Sequence, residues 1–280
     1  MTVPPKVGVY GGGRMGAGIG HAFLVAGAQV VIVEADDTAA AAARGRVETS
    51  VARAGERGKL SEPASDVLAR LRVTASASDL TDRDLVIEAV PEDVALKKQV
   101  LRRVEQVSPD AVLATNTSSL SVDILAAELE RPGNFIGLHF FNPVPASDLV
   151  EIVVGALTGP ELVASAQEWV VALGKTAITV TDSPGFASSR LGVAIAIEAM
   201  RMLEEGVASA EDIDTAMTLG YKHPMGPLRT TDVVGLDVRL AIAEHLAREV
   251  GDRFDPPAIL RDKVAAGELG RKTGQGFYSW

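Results

Sequence analysis

Lys6-Val7-Gly8-Val9-Tyr10-Gly11-Gly12-Gly13-Arg14-Met15-Gly16 decides how the rest of the chain is read. The apolar run 6–10 predicts a buried parallel strand. It ends in Gly11-x-Gly13-x-x-Gly16, and Met15, Ile19, Phe23 and Ala26 then recur at helical spacing. A strand that feeds a helix through three such glycines is a dinucleotide-binding turn. Gly11 permits the tight turn, Gly13 lets backbone approach a pyrophosphate, and Gly16 lets the helix pack close to the strand. The helix N-terminus offers free N–H groups and about half a positive charge to the phosphates. A second apolar run, 30–33, ends at Glu34. An acid about 20 residues past the glycines binds the adenosine ribose diol and repels a 2′-phosphate, which predicts NAD over NADP. The bland alternatives are a flavin or nucleotide fold without hydride chemistry, or a chance turn among 27 glycines.

Downstream, strands and helices alternate. Asp36 or Asp37 predicts the cap of a helix to residue 56, and Pro63 opens a short helix. Runs at 72–76, 84–90 and 111–115 predict strands, with a helix over 92–107 and another from Ser121. This alternation predicts a parallel, doubly wound α/β sheet of the Rossmann type. The pattern then changes. Runs 135–140 and 149–154 are joined by a connection too short for a crossover, so they are expected to form a terminal antiparallel hairpin. A helix over 160–173 and a strand over 176–181 complete a domain of residues 1–183. Asp182-Ser183-Pro184-Gly185 marks the boundary, and 184–280 reads as an all-α domain. Its first helix, with Leu191, Val193, Ile195, Ile197, Met200, Met202 and Leu203, is apolar almost all round. Such a helix in so small a domain predicts a homodimer interface.

Composition narrows the function. A net charge of −10 argues against nucleic acid or an anionic membrane as partner. No cysteine is present, which removes disulfides, thiol nucleophiles and cysteine-based metal sites. No metal is expected. With no apolar leader and no apolar run of about 18 residues, the chain is expected to be cytoplasmic.

Hydride chemistry needs a group that moves a proton. Of His21, His139, His223 and His245, only His139 lies near the end of an apolar strand. An imidazole with a pKa near ~6.5 suits general acid–base work at neutral pH. The competing reading is a satisfied core histidine. If the hairpin turns about Pro145, His139 faces Glu151, an acid in an otherwise apolar strand that needs a partner. A His–Glu pair fixes the imidazole tautomer and stabilises imidazolium; the bland alternative is a structural ion pair. Asn116-Thr117-Ser118 follows a strand whose carboxyl end faces the ligand crevice. Ser121 suffices as the helix cap, which leaves Ser118 free.

These motifs together are identifiable. The glycine turn 11–20, Asn116-Thr-Ser-Ser-Leu120, His139-Phe-Phe-Asn-Pro-Val-Pro145, Met225-Gly-Pro227 and the tail Gly270-Arg-Lys-Thr-Gly-Gln-Gly-Phe-Tyr278 resemble the L-3-hydroxyacyl-CoA dehydrogenase family, nearest to its single-function bacterial 3-hydroxybutyryl-CoA dehydrogenases. The resemblance implies NAD-dependent oxidation of a short (S)-3-hydroxyacyl-CoA and the reverse reduction. It implies His139 as general base, Glu151 as its orienting acid and Ser118 as hydrogen-bond donor to the reacting oxygen. Gly11, Gly13, Arg14, Met15, Gly16 and Glu34 would form the cofactor turn. Asn116 and Asn142 would line the nicotinamide and ribose, Glu92 and Lys97 would contact the cofactor, and Lys272 would reach it from the helical domain. Ser50 and Arg57 match positions that touch coenzyme A. Read alone, Lys97, Arg57 and Lys272 are exposed cations on an acidic protein. One departure stands out: where the family carries an Asn before Arg190, this chain has Ser189. A serine is shorter, and it is expected to donate to the substrate directly or through water. Two rivals remain, a sugar-acid (gulonate-type) dehydrogenase on the same scaffold and a non-catalytic NAD-binding protein.

Overall fold

The structure, a computed structural model, describes residues 2–280. It contains two compact units, one ending at Asp182 and one beginning at Ser183. In the first, the chain runs β1 (Lys6–Tyr10), α1 (Arg14–Val25), β2 (Gln29–Val33), α2 (Asp37–Glu56), α3 (Ala64–Ala69) and β3 (Leu71–Thr74). It continues with β4 (Leu85–Glu88), α4 (Val94–Val107), β5 (Val112–Thr115), α5 (Val122–Ala126), β6 (Phe135–Phe140), β7 (Leu149–Val154), α6 (Pro160–Ala172) and β8 (Thr176–Thr181).

These eight strands form one sheet in the order β3-β2-β1-β4-β5-β6-β7-β8. Every neighbouring pair is parallel except β6 and β7. The chain reverses its direction of travel across the sheet between β3 and β4. That places a switch point beside β1, where the carboxyl ends of open sheets bind ligands. β4 and β6 are buried along their whole length. Ile19, Phe23 and Leu24 of α1 and Val47 and Val51 of α2 pack with Val7, Val9, Val30 and Ile32 in one apolar core. Asp36 caps α2, its side chain accepting from the Ala39 N–H.

The second unit is helical: α7 (Ser188–Glu204), α8 (Ala210–Thr215), α9 (Pro227–Val234), α10 (Leu236–Val250) and α11 (Ala258–Ala265). Val193, Ile197 and Met200 of α7 are buried, whereas Leu191 is 64% exposed and Ile195 is also exposed. The apolar circumference of α7 is therefore only partly covered within the chain. The C-terminal tail is tied to α9 by Asp232, whose carboxylate accepts from the Phe277 and Tyr278 N–H groups and from Trp280 Nε1, each at 2.9 Å. Gly270 and Gly276 lie against Asp232 so closely that a Cβ at either would collide with it. Gly270 and Gly276 are there for packing, whereas Gly274, with φ +80° and nothing within 4 Å of a Cβ, serves the turn.

Candidate active site

The glycine turn comes first. Gly11 has φ +96°, and a Cβ there would meet the Ala89 carbonyl at 2.9 Å. A Cβ at Gly16 would collide with the Gly11 carbonyl. A Cβ at Gly13, by contrast, would meet nothing within 4 Å, and no side chain among the described residues caps the N-terminus of α1. The turn thus has open space for a phosphate at the N-terminus of α1. Glu34 follows β2, and its Oε1 accepts from the Gly12 N–H at 2.7 Å. These residues fit a dinucleotide with a free ribose diol.

The hairpin places His139 opposite Glu151 in register. His139 Nδ1 and Glu151 Oε2 are 2.7 Å apart, and both residues are buried. The separation is that of an Nδ1–H donating to the Glu151 carboxylate, which fixes the ring's orientation. The Phe141 ring lies against the imidazole at 4.4 Å. Asn116 Oδ1 accepts from the Phe140 N–H at 2.9 Å, which ties the end of β5 to the end of β6. Asn142, two residues later, is exposed.

The loop after β5 is held by one carboxylate oxygen. Glu92 Oε1 accepts from Thr117 Oγ1 at 2.6 Å, from the N–H groups of Ser118 and Ser119 at 2.8 and 3.1 Å, and from both serine hydroxyls at 3.2 Å. Ser121 does cap α5, accepting from the Ile124 N–H at 3.2 Å. Ser118 is nonetheless not free, because its hydroxyl is oriented by Glu92. Behind Glu92 lies Lys97, whose reading as an exposed cation is overturned: it is 1% exposed. Its Nζ donates to Glu88 Oε1 at 2.8 Å and to the Val90 carbonyl at 3.1 Å, and lies 3.3 Å from Glu92 Oε2. Thr115 Oγ1 and the Val90 N–H complete the shell of Glu88 at 2.7 and 2.6 Å. Burial holds the Glu88 carboxyl above its usual range despite Lys97. Burial pushes Glu92 the same way, but Lys97 and the loop donors outweigh it and the net shift is downward. Lys97 thus keeps Glu92 ionised, and Glu92 keeps the serine loop in place.

A cleft of about 990 Å³ opens between α1, α2 and the 142–146 segment. Arg14, Arg46, Arg53, Arg57, Lys59 and Lys175 all line it, and no acid does. In a chain of net charge −10 that segregation is a strong local field for an anion. Ser50, Arg57, Arg14 and Asn142, named from the sequence, all border this cleft. Arg46 and Arg53 were missed, although 46, 50, 53 and 57 fall at helical spacing on one face of α2. Arg46 Nη1 also donates to the Gly12 carbonyl at 3.2 Å, so it links the cleft to the cofactor turn. His21 lines the cleft as well, buried and with its Nδ1 unpartnered.

In the helical unit, Ser189 lies in the first turn of α7. Lys272 Nζ is paired with both oxygens of Asp237, at 2.5 and 2.6 Å. Among the described residues no cluster of three or more acid or histidine side chains is placed to hold a metal.

Known proteins match this chain throughout. The profile of the 3-hydroxyacyl-CoA dehydrogenase NAD binding domain matches residues 6–183, and that of the 3-hydroxyacyl-CoA dehydrogenase C-terminal domain matches residues 185–280. A probable 3-hydroxybutyryl-CoA dehydrogenase of Deinococcus radiodurans is 41% identical over 98% of this chain and 100% of its own. The 3-hydroxybutyryl-CoA dehydrogenase of Mycobacterium tuberculosis is 42% identical over 98% of each. The crystal structure of (S)-3-hydroxybutyryl-CoA dehydrogenase from Ralstonia eutropha superposes with a TM-score of 0.94 at 41% identity, covering 99% of both chains.

Proposed function

The chain belongs to the 3-hydroxyacyl-CoA dehydrogenase family, and from that premise we propose that it interconverts a short-chain (S)-3-hydroxyacyl-CoA, such as 3-hydroxybutyryl-CoA, and the 3-ketoacyl-CoA. The observation that carries the reading is the buried His139–Glu151 pair, at 2.7 Å, in a unit that also carries an acid-free cationic cleft. Gly11, Gly13, Arg14, Met15, Gly16 and Glu34 would hold NAD, which when bound would supply the acceptor and donor of the C3 hydride. His139 Nε2 takes the 3-hydroxyl proton in oxidation and returns it in reduction. Glu151 holds the ring and balances its charge while it is protonated. The Ser118 hydroxyl, which donates to Glu92 without substrate, turns its O–H from that carboxylate to the reacting oxygen when substrate binds. Lys97 serves the cofactor region through Glu92, since its own ammonium is enclosed. Asn116 and Asn142 border the nicotinamide and ribose. Ser50 and Arg57 meet the coenzyme A moiety, whose phosphates suit the cationic cleft. From the helical unit, Ser189 donates to the substrate directly or through water, and Lys272 reaches the cofactor.

We assign cofactor binding to residues 1–183 and substrate binding and dimerisation to residues 184–280. A homodimer through the helical unit is supported by exposed Leu191 and Ile195 on α7 and by an apolar groove of about 380 Å³ that includes Ile195, Met202, Ile213 and Met217. Neither nucleic acid nor membrane is a partner on this reading. The overall charge is acidic, and among the described residues no helix is long and apolar enough to cross a membrane. A cytoplasmic location is in keeping with a chain free of cysteine.

The test is NADH oxidation at 340 nm with acetoacetyl-CoA, for the wild type and His139→Ala. Rapid turnover that His139→Ala lowers by about 10²–10⁴-fold is the expected result. Tight NADH binding without turnover would sink the reading and favour the sugar-acid dehydrogenase or the non-catalytic binder.

A further inference from the structure

Arg239, on α10, is a buried cation that nothing in the chain explains. It is 9% exposed. Among the described residues no hydrogen bond or ion pair engages its side chain; its Nε is fully enclosed without a partner, while the terminal nitrogens keep some access to solvent. Burial alone pushes its guanidinium down to about 10, with no acid countering the shift, so it remains charged at neutral pH. Chains rarely keep an unpaired buried charge, because desolvation is costly unless a partner arrives. The surroundings are also shaped for it. Gly192 of α7 faces the guanidinium, and a Cβ there would lie 3.2 Å from Nη1 and 3.7 Å from Nη2. The small residue leaves both terminal nitrogens open on that side. Gly192 lies three residues along α7 from Ser189, on the same helix face, a rise of about 4.5 Å.

We propose that Arg239 anchors a carboxylate at the far end of the substrate's acyl chain, so that the preferred substrate is the mono-CoA thioester of a short 3-hydroxy dicarboxylic acid. The inference rests on the reading of Ser189 as a donor to the reacting end of that chain. A planar fork of N–H donors matches a carboxylate bidentately, and in a buried setting such a pair is strong and selective. An alkyl chain end would cover the terminal nitrogens and leave the guanidinium desolvated and unpaired. The site therefore rejects a neutral chain end as much as it attracts a charged one.

Two six-carbon thioesters that differ only in the chain end test this: 3-oxoadipyl-CoA, with a terminal carboxylate, and 3-oxohexanoyl-CoA, without one. Steady-state NADH oxidation is measured on the full chain with both, and with acetoacetyl-CoA as the check on the dehydrogenase reading. The expected wild-type preference in kcat/KM for the carboxylate is about tenfold or more, carried mainly by KM. Arg239→Met brings the ratio to one or below. Arg239→Lys, which keeps the charge and loses the fork, leaves it in between and carries the test if the methionine variant does not fold. A wild-type ratio near one, or a high ratio unchanged in either variant, overturns the proposal. If acetoacetyl-CoA is also inert, the dehydrogenase reading falls and takes this one with it.

Discussion

Lys97 and Arg239 are both buried cations, and the chain treats them in opposite ways. Lys97 has two carboxylates and a carbonyl around its ammonium. The Arg239 guanidinium has no hydrogen-bond or ion-pair partner among the described residues. His21 shows a third solution. Burial, with Lys175 nearby, lowers its pKa to about 4, so at neutral pH it carries no charge. One group is paired, one is neutralised and one is left charged. The satisfied lysine is part of the scaffold that holds Glu92 and, through it, the serine loop. The unsatisfied arginine has no work in the chain alone, and the physical cost of keeping it points to a ligand.

The difference can be broken most directly at Lys97. Lys97→Met strands Glu88 in the sheet without its counter-charge, and unfolding in urea is expected to show a loss of about 3–5 kcal/mol. Adding Glu88→Leu, which removes the stranded acid, is expected to recover part of that loss. If the single variant were as stable as the wild type, the pair would not be the clamp described here.

A smaller effect is expected at His21. Its folded pKa lies below the unfolded value, so the unfolded chain binds the extra proton and stability falls as pH drops from 6.5 toward 4. The contribution is at most about 3 kcal/mol. Urea midpoints for the wild type and His21→Gln, compared at pH 7 and pH 5, isolate it: the wild type loses more on acidification. Equal losses would mean that the imidazole has access to water.

The smallest effect, and the one of opposite sign, belongs to Arg239. Arg239→Met without ligand is expected to leave Tm unchanged or raise it slightly, by about 1 kcal/mol in stability, because an unpaired buried charge is replaced by an apolar chain. A large drop in Tm would instead show that the guanidinium supports the fold, and the contrast with Lys97 would collapse.

Much of this was legible before the fold was known. The glycine turn and the alternation of strands and helices specify a doubly wound sheet, since each element's apolar period admits few ways to bury it. The short connection between β6 and β7 sets their direction, and with it the pairing of His139 with Glu151. The cationic face of α2 was present in the spacing of residues 46, 50, 53 and 57, but helical spacing does not say what the opposite wall of a cleft contains. Local capping rules leave the Ser118 hydroxyl free because they count partners near in sequence, whereas Glu92 is 26 residues away.

The sequence by itself determined the class of fold, the dinucleotide turn and the pairing of His139 with Glu151. Each follows from local chemistry: glycine where backbone must come close, apolar period where a strand must be buried, opposed positions across a short hairpin. Only the tertiary structure decided which charges are satisfied. Whether Lys97 is buried, whether Glu92 reaches the serine loop and whether any acid reaches Arg239 depend on residues brought together by β4, α4, α7 and α10. Electrostatic energy depends on distance and burial in space, and neither can be read from position along a chain.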